Sequence, residues 1–375
     1  MIVPSSIRLP VRRARNALAL RRLVLGQVPR WRAIRSSRPR RDGVAVSYGV
    51  ERMPGPNAVV FGGHVKLLLL HRAFPNESRS FNLLYLGSSS MPLESDTLVR
   101  LARRRRAAFV WNQNGVAYAG WYGAGWRLVN APRARLLHEA DHVFYQSEFC
   151  KLGADRFYGE RRGPWEVLHN PVDTRVFLPV RDRPSRPLTL LLGGNQYQRY
   201  RVDVAVDTLA LLRSDGYDAR MIVAGSLSFA RDARDLVQAR IDRLELGAAV
   251  RFIGEYTRAD APSVMQSADI LLHTKYNDPC PTLVLEAMAA GLPVVYSASG
   301  GTPELVGEEA GIGIPAELDW EHDHPPAAAD LAVAVQEVAA RLDDRRVAAR
   351  DRAKRFDAEE WVARHRQVFE ELLGR

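Results

Sequence analysis

The chain has 375 residues, of which 46% are hydrophobic and 26% charged, and its formal net charge at pH 7 is +10. This length exceeds what one hydrophobic core usually organises, so we expect a globular protein of two domains. Twelve Arg and no acidic residue lie in residues 1–41, which leaves a net charge of −2 for the rest of the chain. The folded body is therefore not basic, and no nucleic-acid partner is expected.

Residues 1–42 are predicted to form a basic N-terminal tail. One hypothesis is a peripheral contact of residues 1–41 with the inner face of the plasma membrane, because each basic residue near an anionic surface contributes ~1 kcal/mol. A disordered tail is the alternative. No apolar run approaches the ~20 residues of a membrane span, and Cys150 and Cys280 give neither a disulfide framework nor metal-ligand spacing. A cytoplasmic location is expected.

Short β-branched and Leu-rich runs alternate with stretches of helical period, which is the pattern of a parallel sheet covered by helices. The first half predicts strands over 44–48, 81–87, 107–113, 142–147 and 165–170. Residues 178–187 then contain three prolines and four charged residues, which predicts a linker. Further strands are predicted over 188–194, 219–225, 250–254, 269–273 and 293–297.

This alternation predicts an α/β protein with two Rossmann-like, doubly wound domains, 43–180 and 188–356, that face a central cleft. Sheets of this kind bind ligands at the carboxyl ends of their strands. The sequence therefore places a ligand site between the two domains.

Residues 277–295, NDPCPTLVLEAMAAGLPVV, place Glu286 in a segment that is otherwise apolar enough to be buried. A helix is predicted there, capped by Thr282, preceded by Pro281 and ended by Gly291. Free backbone N–H groups at its start suit a phosphate. A buried carboxylate without a partner is costly. A ligand with both phosphate and hydroxyl groups satisfies the N–H groups and Glu286 together.

The order of motifs in this half resembles the donor-site signature of the family 4 (group 1) retaining glycosyltransferases, which have a GT-B fold. The signature is a carboxylate, seven residues, Glu286, the run AMAAGLPVV and a Gly-Gly-x-Pro-Glu turn over 300–304. The segments VFYQSEF, HNPVDTRVF, MIVAGS and VRFIGEY agree in order. The resemblance extends from about residue 43 to the end of the chain. It also implies that a last helix, within 357–375, crosses back to the first domain.

The resemblance implies that the ligand is a nucleotide sugar and that Glu286 accepts hydrogen bonds from its ribose hydroxyls. Asp278 stands where the family usually has Glu, and is implied to contact the transferred sugar with a reach about 1.5 Å shorter. The alternatives are a Glu286 bonded to neighbouring backbone and an Asp278 that caps a turn. Other predicted donor-binding residues near them are Pro281, Thr282, Leu283, Gly300 and Gly301.

Family members have an Arg and a Lys after the first strand of the second domain, where they hold the pyrophosphate. This chain reads GGNQYQRYRVDV there, so Arg199 and Arg201 are the available cations, and a guanidinium binds phosphate through two hydrogen bonds. Two solvated arginines at a helix start are the alternative. Asn195 in the same run and Lys275 are further donor-binding candidates.

In the first domain, Gly62 and Gly63 precede the apolar run HVKLLLLHR, and such a pair permits close approach to the donor phosphates. A tight turn is the alternative. The family commonly has a His at a strand end near the reacting carbon, whereas this chain reads WNQNGVAY there. Asn112 and Asn114 are candidates for sugar or acceptor contacts. Trp121 is a candidate for stacking on an acceptor sugar, with core packing as the alternative.

The function that follows is transfer of a hexose-type sugar from a UDP- or GDP-sugar to a saccharide or lipid-linked acceptor, in cell-surface polysaccharide or glycoconjugate synthesis. Retention of configuration comes from the resemblance alone. No acidic metal-ligand cluster is visible, so no metal or other cofactor is expected. The departures from the family pattern leave two alternatives: an inactive GT-B scaffold that binds a nucleotide sugar, and a sugar-nucleotide epimerase.

Overall fold

The computed structural model describes residues 26–55, 62–180 and 187–374, and these form two wholly parallel β-sheets. The first sheet has the order β1-β2-β3-β4-β5, with strands β1 (Val46–Ser47), β2 (Leu83–Gly87), β3 (Ala108–Gln113), β4 (His142–Tyr145) and β5 (Trp165–Val167). The second has the order β11-β10-β9-β6-β7-β8, with strands β6 (Leu188–Leu192), β7 (Ala219–Ala224), β8 (Val250–Gly254), β9 (Ile270–His273), β10 (Val294–Ala298) and β11 (Gly311–Pro315).

Helices cover both sheets. Those of the first half are α1 (26–36), α2 (Gly62–Ala73), α3 (Ser95–Arg104), α4 (Ala119–Tyr122), α5 (Trp126–Glu139) and α6 (Glu148–Tyr158). Those of the second half are α7 (Arg199–Ser214), α8 (Ala233–Arg243), α9 (Ala261–Gln266), α10 (Thr282–Ala289), α11 (Thr302–Val306), α12 (Ala328–Ala340), α13 (Leu342–Lys354) and α14 (Ala358–Leu372). The α/β architecture with two facing parallel-sheet domains is confirmed.

Each of the ten predicted strands is present, and β11 is the strand that the sequence did not indicate. Its sequence is GIGIP, and Gly and Pro are depleted in strands. The glycines have a packing reason, since a Cβ on Gly311 would stand 2.0 Å from the carbonyl oxygen of Val294 in the neighbouring strand. Tertiary contact with β10 therefore overrides local propensity.

The predicted N-terminal tail requires correction from residue 26 onward. Residues 1–25 lie outside the described part of the chain, but residues 26–36 are helical. Ile34 is buried in the first domain's core, and Arg30 Nη1 lies 3.1 Å from Glu94 Oε1. An apolar face and one buried ion pair hold α1 on the domain. In the described residues, no helix has the length and hydropathy to cross a membrane.

The last helix, α14, lies on the first domain although it follows the second. Trp361, Val368 and Phe369 are buried in one cluster with Tyr85 and Phe144 of the first sheet. The chain enters α14 beside the interdomain connection, where residues 172 and 357 form an isolated parallel bridge. The predicted linker falls largely on residues 181–186, which lie outside the described residues.

A carboxylate of the second domain caps a helix of the first. Glu304 accepts hydrogen bonds from the backbone N–H groups of Glu148 (2.8 Å) and Phe149 (3.0 Å) at the start of α6. His169 Nε2 lies 2.9 Å from the same carboxylate. A negative charge at a helix N-terminus is stabilising, so Glu304 joins the domains.

We predict that Glu304→Ala destabilises the protein by about 1–3 kcal/mol, because two charge-assisted hydrogen bonds to α6 are lost. Urea unfolding at pH 7 measures the change. Glu309→Ala is the matched control, since that side chain is exposed and lies five residues further along the chain. Equal stability of the two variants would contradict the conclusion that Glu304 joins the two domains.

Candidate functional site

A cleft of about 520 Å³ lies between the two domains, and its walls are the loops that follow the strands of both sheets. The first domain contributes the start of α2, residues after β2, β3 and β4, and Asn170. The second contributes residues after β6, β7, β8 and β9, and the start of α10. The cleft therefore has the position that parallel α/β sheets give to ligand sites.

The N-termini of α2 and α10 face each other across this cleft. A Cβ on Gly62 would lie 3.8 Å from Thr282 Oγ1, and one on Gly63 would stand 2.6 Å from Ser89 Oγ. Ser89 thus leaves little room for a side chain at position 63. Both glycines line the cleft. The first turns of two helices thus border one volume.

The predicted capping of α10 by Thr282 is wrong. The helix begins at Thr282 itself, Pro281 takes the N-cap position, and no side chain accepts a hydrogen bond from the first turn. Pro281 has the extended backbone of an N-cap but no side-chain acceptor. The first turn of α10 is consequently left for a ligand, and Pro281, Thr282 and Leu283 all line the cleft.

The carboxylate of Glu286 lines the cleft. Among the described residues, no hydrogen bond or ion pair reaches its carboxylate, which differs from the alternative of a backbone-bonded structural Glu. Burial raises the pKa of Glu286 to about 7, against the opposing effect of the Arg258 guanidinium. Near neutral pH the folded protein thus holds a partly ionised carboxylate that lacks the donors a carboxylate normally has.

Asp278, in contrast, is compensated by the protein. Lys275 Nζ lies 3.1 Å from Oδ1, and His273 Nε2 lies 3.2 Å from Oδ2, at an angle that makes no good hydrogen bond. Burial opposes ionisation, but the Lys275 ammonium group, with smaller contributions from His273 and Arg201, holds the pKa of Asp278 well below its usual range. Burial lowers the pKa of His273, so Lys275 is the cation of this group.

The structure separates the two candidate arginines of α7. Arg201 is buried in the cleft wall, where Nη1 donates to the Asn195 carbonyl oxygen at 2.9 Å and Nε has no partner. Arg199 is half exposed, lies outside the cleft lining and pairs with Asp203 at 2.9 Å. Asn195 also lines the cleft, and its Oδ1 accepts from the Ser226 hydroxyl.

Gly300 and Gly301 lie behind the Asp278 loop, outside the cleft lining. Gly301 N–H donates to the Asp278 carbonyl oxygen at 2.8 Å, and a Cβ on Gly301 would stand 2.0 Å from the Pro279 carbonyl oxygen. Gly300 has φ +66° and packs against the same loop. In this arrangement the pair fixes the path of the loop that carries Asp278.

The first-domain sugar candidates fall in three different environments. Asn114 lines the cleft. Asn112 is fully buried in β3 and does not line the cleft, so the predicted direct sugar contact is not available to it; its Oδ1 accepts a hydrogen bond at 2.6 Å from Nε2 of Gln146, which does line the cleft. Trp121 is 42% exposed, contacts Tyr122 and lies outside the cleft lining.

Several cleft residues were not predicted, namely Lys66, Gln146, Arg258 and His273. Two had a usable signal in the sequence. Lys66 is one of only four lysines in the chain and interrupts an apolar helix, and His273 ends a predicted strand at its ligand-facing end. Arg258 had none, because it follows β8 in an exposed loop of mixed composition. Among the described residues it has neither a hydrogen bond nor an ion pair.

Two facing parallel-sheet domains, a cleft at their strand ends and a C-terminal helix that returns to the first domain define the GT-B fold of glycosyltransferases. Among solved structures, HepE of Anabaena, described in complex with UDP and glucose, superposes with a TM-score of 0.64 at 19% identity, over 84% of both chains. At this identity the similarity shows the fold.

Residues 178–322 match the family described as glycosyl transferases group 1, which confirms the resemblance drawn from the motifs. A GDP-mannose-dependent phosphatidylinositol dimannoside mannosyltransferase of Mycobacterium tuberculosis is 28% identical over 44% of this chain and 45% of its own length. A D-inositol 3-phosphate glycosyltransferase of Corynebacterium aurimucosum is 28% identical over 54% of this chain and 49% of its own. The matches thus span about half the length of these relatives.

We predict that Glu286→Gln stabilises the ligand-free protein. Because the pKa of Glu286 is raised from 4.5 to about 7, its carboxyl group destabilises the fold increasingly between those pH values, and the penalty is complete above pH 7. Since the side chain is partly open to the cleft, we expect a gain of about 1–3 kcal/mol at pH 8 that shrinks toward pH 5. Urea unfolding at both pH values measures it, with Glu309→Gln as the exposed control. A gain that does not depend on pH would contradict the prediction.

Proposed function

We propose that this protein is a retaining glycosyltransferase that transfers a hexose-type sugar from a UDP- or GDP-sugar to a saccharide or lipid-linked acceptor. The observation that carries this proposal is the carboxylate of Glu286, which lies in the interdomain cleft without a hydrogen-bond or ion-pair partner in the part of the chain that the structure describes. Ribose hydroxyls are suitable donors, and their hydrogen bonds favour the ionised carboxylate. The same cleft supplies first-turn N–H groups and cations for a diphosphate.

The names of similar proteins support the choice of ligand. HepE is described with UDP and glucose, one relative is named as GDP-mannose-dependent, and another acts on D-inositol 3-phosphate. Both UDP-hexoses and GDP-hexoses are therefore candidate donors for this chain. A polysaccharide or glycoconjugate pathway on the cytoplasmic side of the membrane fits such an acceptor.

The proposed reaction requires the cleft to stabilise negative charge on the departing nucleoside diphosphate. In the proposed step, the bond between the anomeric carbon and the diphosphate oxygen breaks while an acceptor hydroxyl oxygen bonds to that carbon from the same face. The hydroxyl proton passes to the departing diphosphate. Arg201, Lys275 and the start of α10 are placed to stabilise this charge before the reaction begins, which is where preorganised electrostatics contribute most.

Asp278 has the role of contacting the transferred sugar in this proposal. Its ion pair with Lys275 fixes its orientation, and its low pKa keeps it an acceptor of hydrogen bonds from sugar hydroxyls. The proposed same-face displacement gives retention and requires no covalent nucleophile. The shorter Asp side chain and the absent strand-end His motivate the two competing functions, a binding scaffold and an epimerase.

The test is incubation of the purified protein with UDP- and GDP-hexoses, with and without saccharide or lipid acceptors. We expect release of free nucleoside diphosphate with one donor, faster with acceptor, and a product of retained configuration by NMR. Glu286→Gln is expected to lower kcat/KM at least about 100-fold, through lost ribose contacts, whereas Glu309→Gln leaves it unchanged.

Two outcomes would replace the proposal by its competitors. Tight donor binding, seen as a rise in Tm, with no release of nucleoside diphosphate indicates a scaffold. Conversion of the donor into an isomeric nucleotide sugar without an acceptor indicates an epimerase.

The proposed activity is expected to persist in EDTA, because helix N-termini and cationic side chains take the role of a divalent cation. Residues 26–55, 62–180 and 187–374 contain no group of three or more His, Cys, Asp or Glu placed to hold a metal ion. Release of nucleoside diphosphate, measured with EDTA and again after addition of Mg²⁺ or Mn²⁺, decides the point. Activity that returns only with added metal would refute metal independence.

A further inference from the structure

Lys66 is a buried ammonium group with almost no compensation from the protein. It lies in the second turn of α2, and the residue is 3% exposed. Within the described chain, its Nζ makes one hydrogen bond, to Asn170 Oδ1 at 3.4 Å, which is long for an N–H···O bond. Buried lysines are normally paired with an acid, and no carboxylate of the described residues lies within ion-pair distance of Lys66.

The titratable groups that face Lys66 carry no negative charge near pH 7. They are Cys280 before α10, Cys150 in α6 and His365 in α14. Burial raises the pKa of Cys150 to about 12 and that of Cys280 well above its ordinary value. Burial lowers the pKa of His365 to about 3. The neighbours of Lys66 are therefore two neutral thiols and a neutral imidazole.

The charge of Lys66 survives in this environment. Burial lowers the pKa of Lys66 to about 8, so most molecules hold the ammonium form at pH 7. An uncompensated cation in an apolar setting costs stability. The folded protein retains it on the wall of the cleft that also holds Glu286 and Arg201. This combination is expected of a group whose partner is an anionic ligand.

The position of Lys66 relates it to a particular part of that ligand. Gly62 and Gly63 precede it on the same helix, and Asn170, its one partner, donates to the Cys280 carbonyl oxygen at 2.7 Å, immediately before Pro281 and α10. Lys66 therefore lies where the first domain meets the N-terminus of α10. The ribose candidate Glu286 is on the second domain, so the two charges approach a ligand from opposite walls.

We propose that Lys66 is a donor-binding residue of the first domain, whose ammonium group binds the diphosphate of the nucleotide sugar. The inference rests on the proposed function and adds to it that the diphosphate is held from both domains. A ligand bound in this way contacts α2 of the first domain and α7 and α10 of the second.

The test is a comparison of nucleoside diphosphates with nucleosides in the Lys66→Met variant, by calorimetric titration at pH 7. Lys66→Met is expected to weaken binding of UDP or GDP about tenfold or more, because a charge-assisted contact is lost. The affinity for uridine or guanosine is expected to stay within about twofold of the wild-type value, because a nucleoside lacks the phosphates. Lys151→Met is the matched control, since that ammonium group pairs with Asp155 outside this cleft.

Two further readouts separate ligand binding from a structural role. Without ligand, Lys66→Met is expected to raise Tm at pH 7, because a buried charge is removed. In the wild type, the affinity for the diphosphate is expected to fall as the pH rises through about 8, where ligand-free Lys66 loses its proton, and this loss is expected to be absent from Lys66→Met.

The outcomes distinguish this inference from the function on which it rests. If the wild type binds UDP or GDP and Lys66→Met binds it equally well, the role of Lys66 is refuted and the proposed function stands. If Lys66→Met has a lower Tm and loses nucleoside and diphosphate binding alike, Lys66 is structural and the inference fails. If the wild type binds neither nucleoside diphosphate, both are overturned.

Discussion

Buried charge that the protein itself leaves without a partner is the constraint on which the interdomain cleft depends. Within the described residues, Glu286 has no donor, Lys66 has one long hydrogen bond and Arg201 Nε has no partner, although all three line one cleft. Such groups lower the stability of the ligand-free fold. Their retention is understandable when a ligand of mixed character, hydroxyl-rich at one end and anionic at the other, satisfies them. Stability and binding are then opposed at these positions, as is common at functional sites.

Other charged groups near the cleft do have partners in the protein. Asp278 has Lys275, and the loop that carries it is fixed from behind by Gly301, whose N–H donates to the Asp278 carbonyl oxygen. Glu304 caps α6 of the opposite domain. These contacts join the two domains and fix the path of the loop that carries Asp278, which is the kind of support that electrostatic preorganisation requires.

The comparisons with known proteins say more about the second domain than about the first. The family match covers residues 178–322, which are the interdomain connection and most of the second domain. The first domain is similar to known proteins in its fold. Its cleft residues Lys66, Asn114 and Gln146 lie outside the residues that the family model matches. It is also the side on which α1 and α14 add helices to the domain core, and on which an acceptor approaches in the proposed reaction.

The sequence by itself determined the alternation of strands and helices and the two-domain division, because these depend on local hydrophobic periodicity. It also singled out Glu286 as a buried carboxylate in need of a partner, because burying one carboxylate is costly. It did not determine which of Arg199 and Arg201 enters the cleft, since two residues along a helix differ by about 200° in direction. Nor did it show that Asn112 is buried beneath Gln146 or that the neighbours of Lys66 are neutral. Those facts arise from residues far apart in the chain, and only the packing of the two domains brings them together.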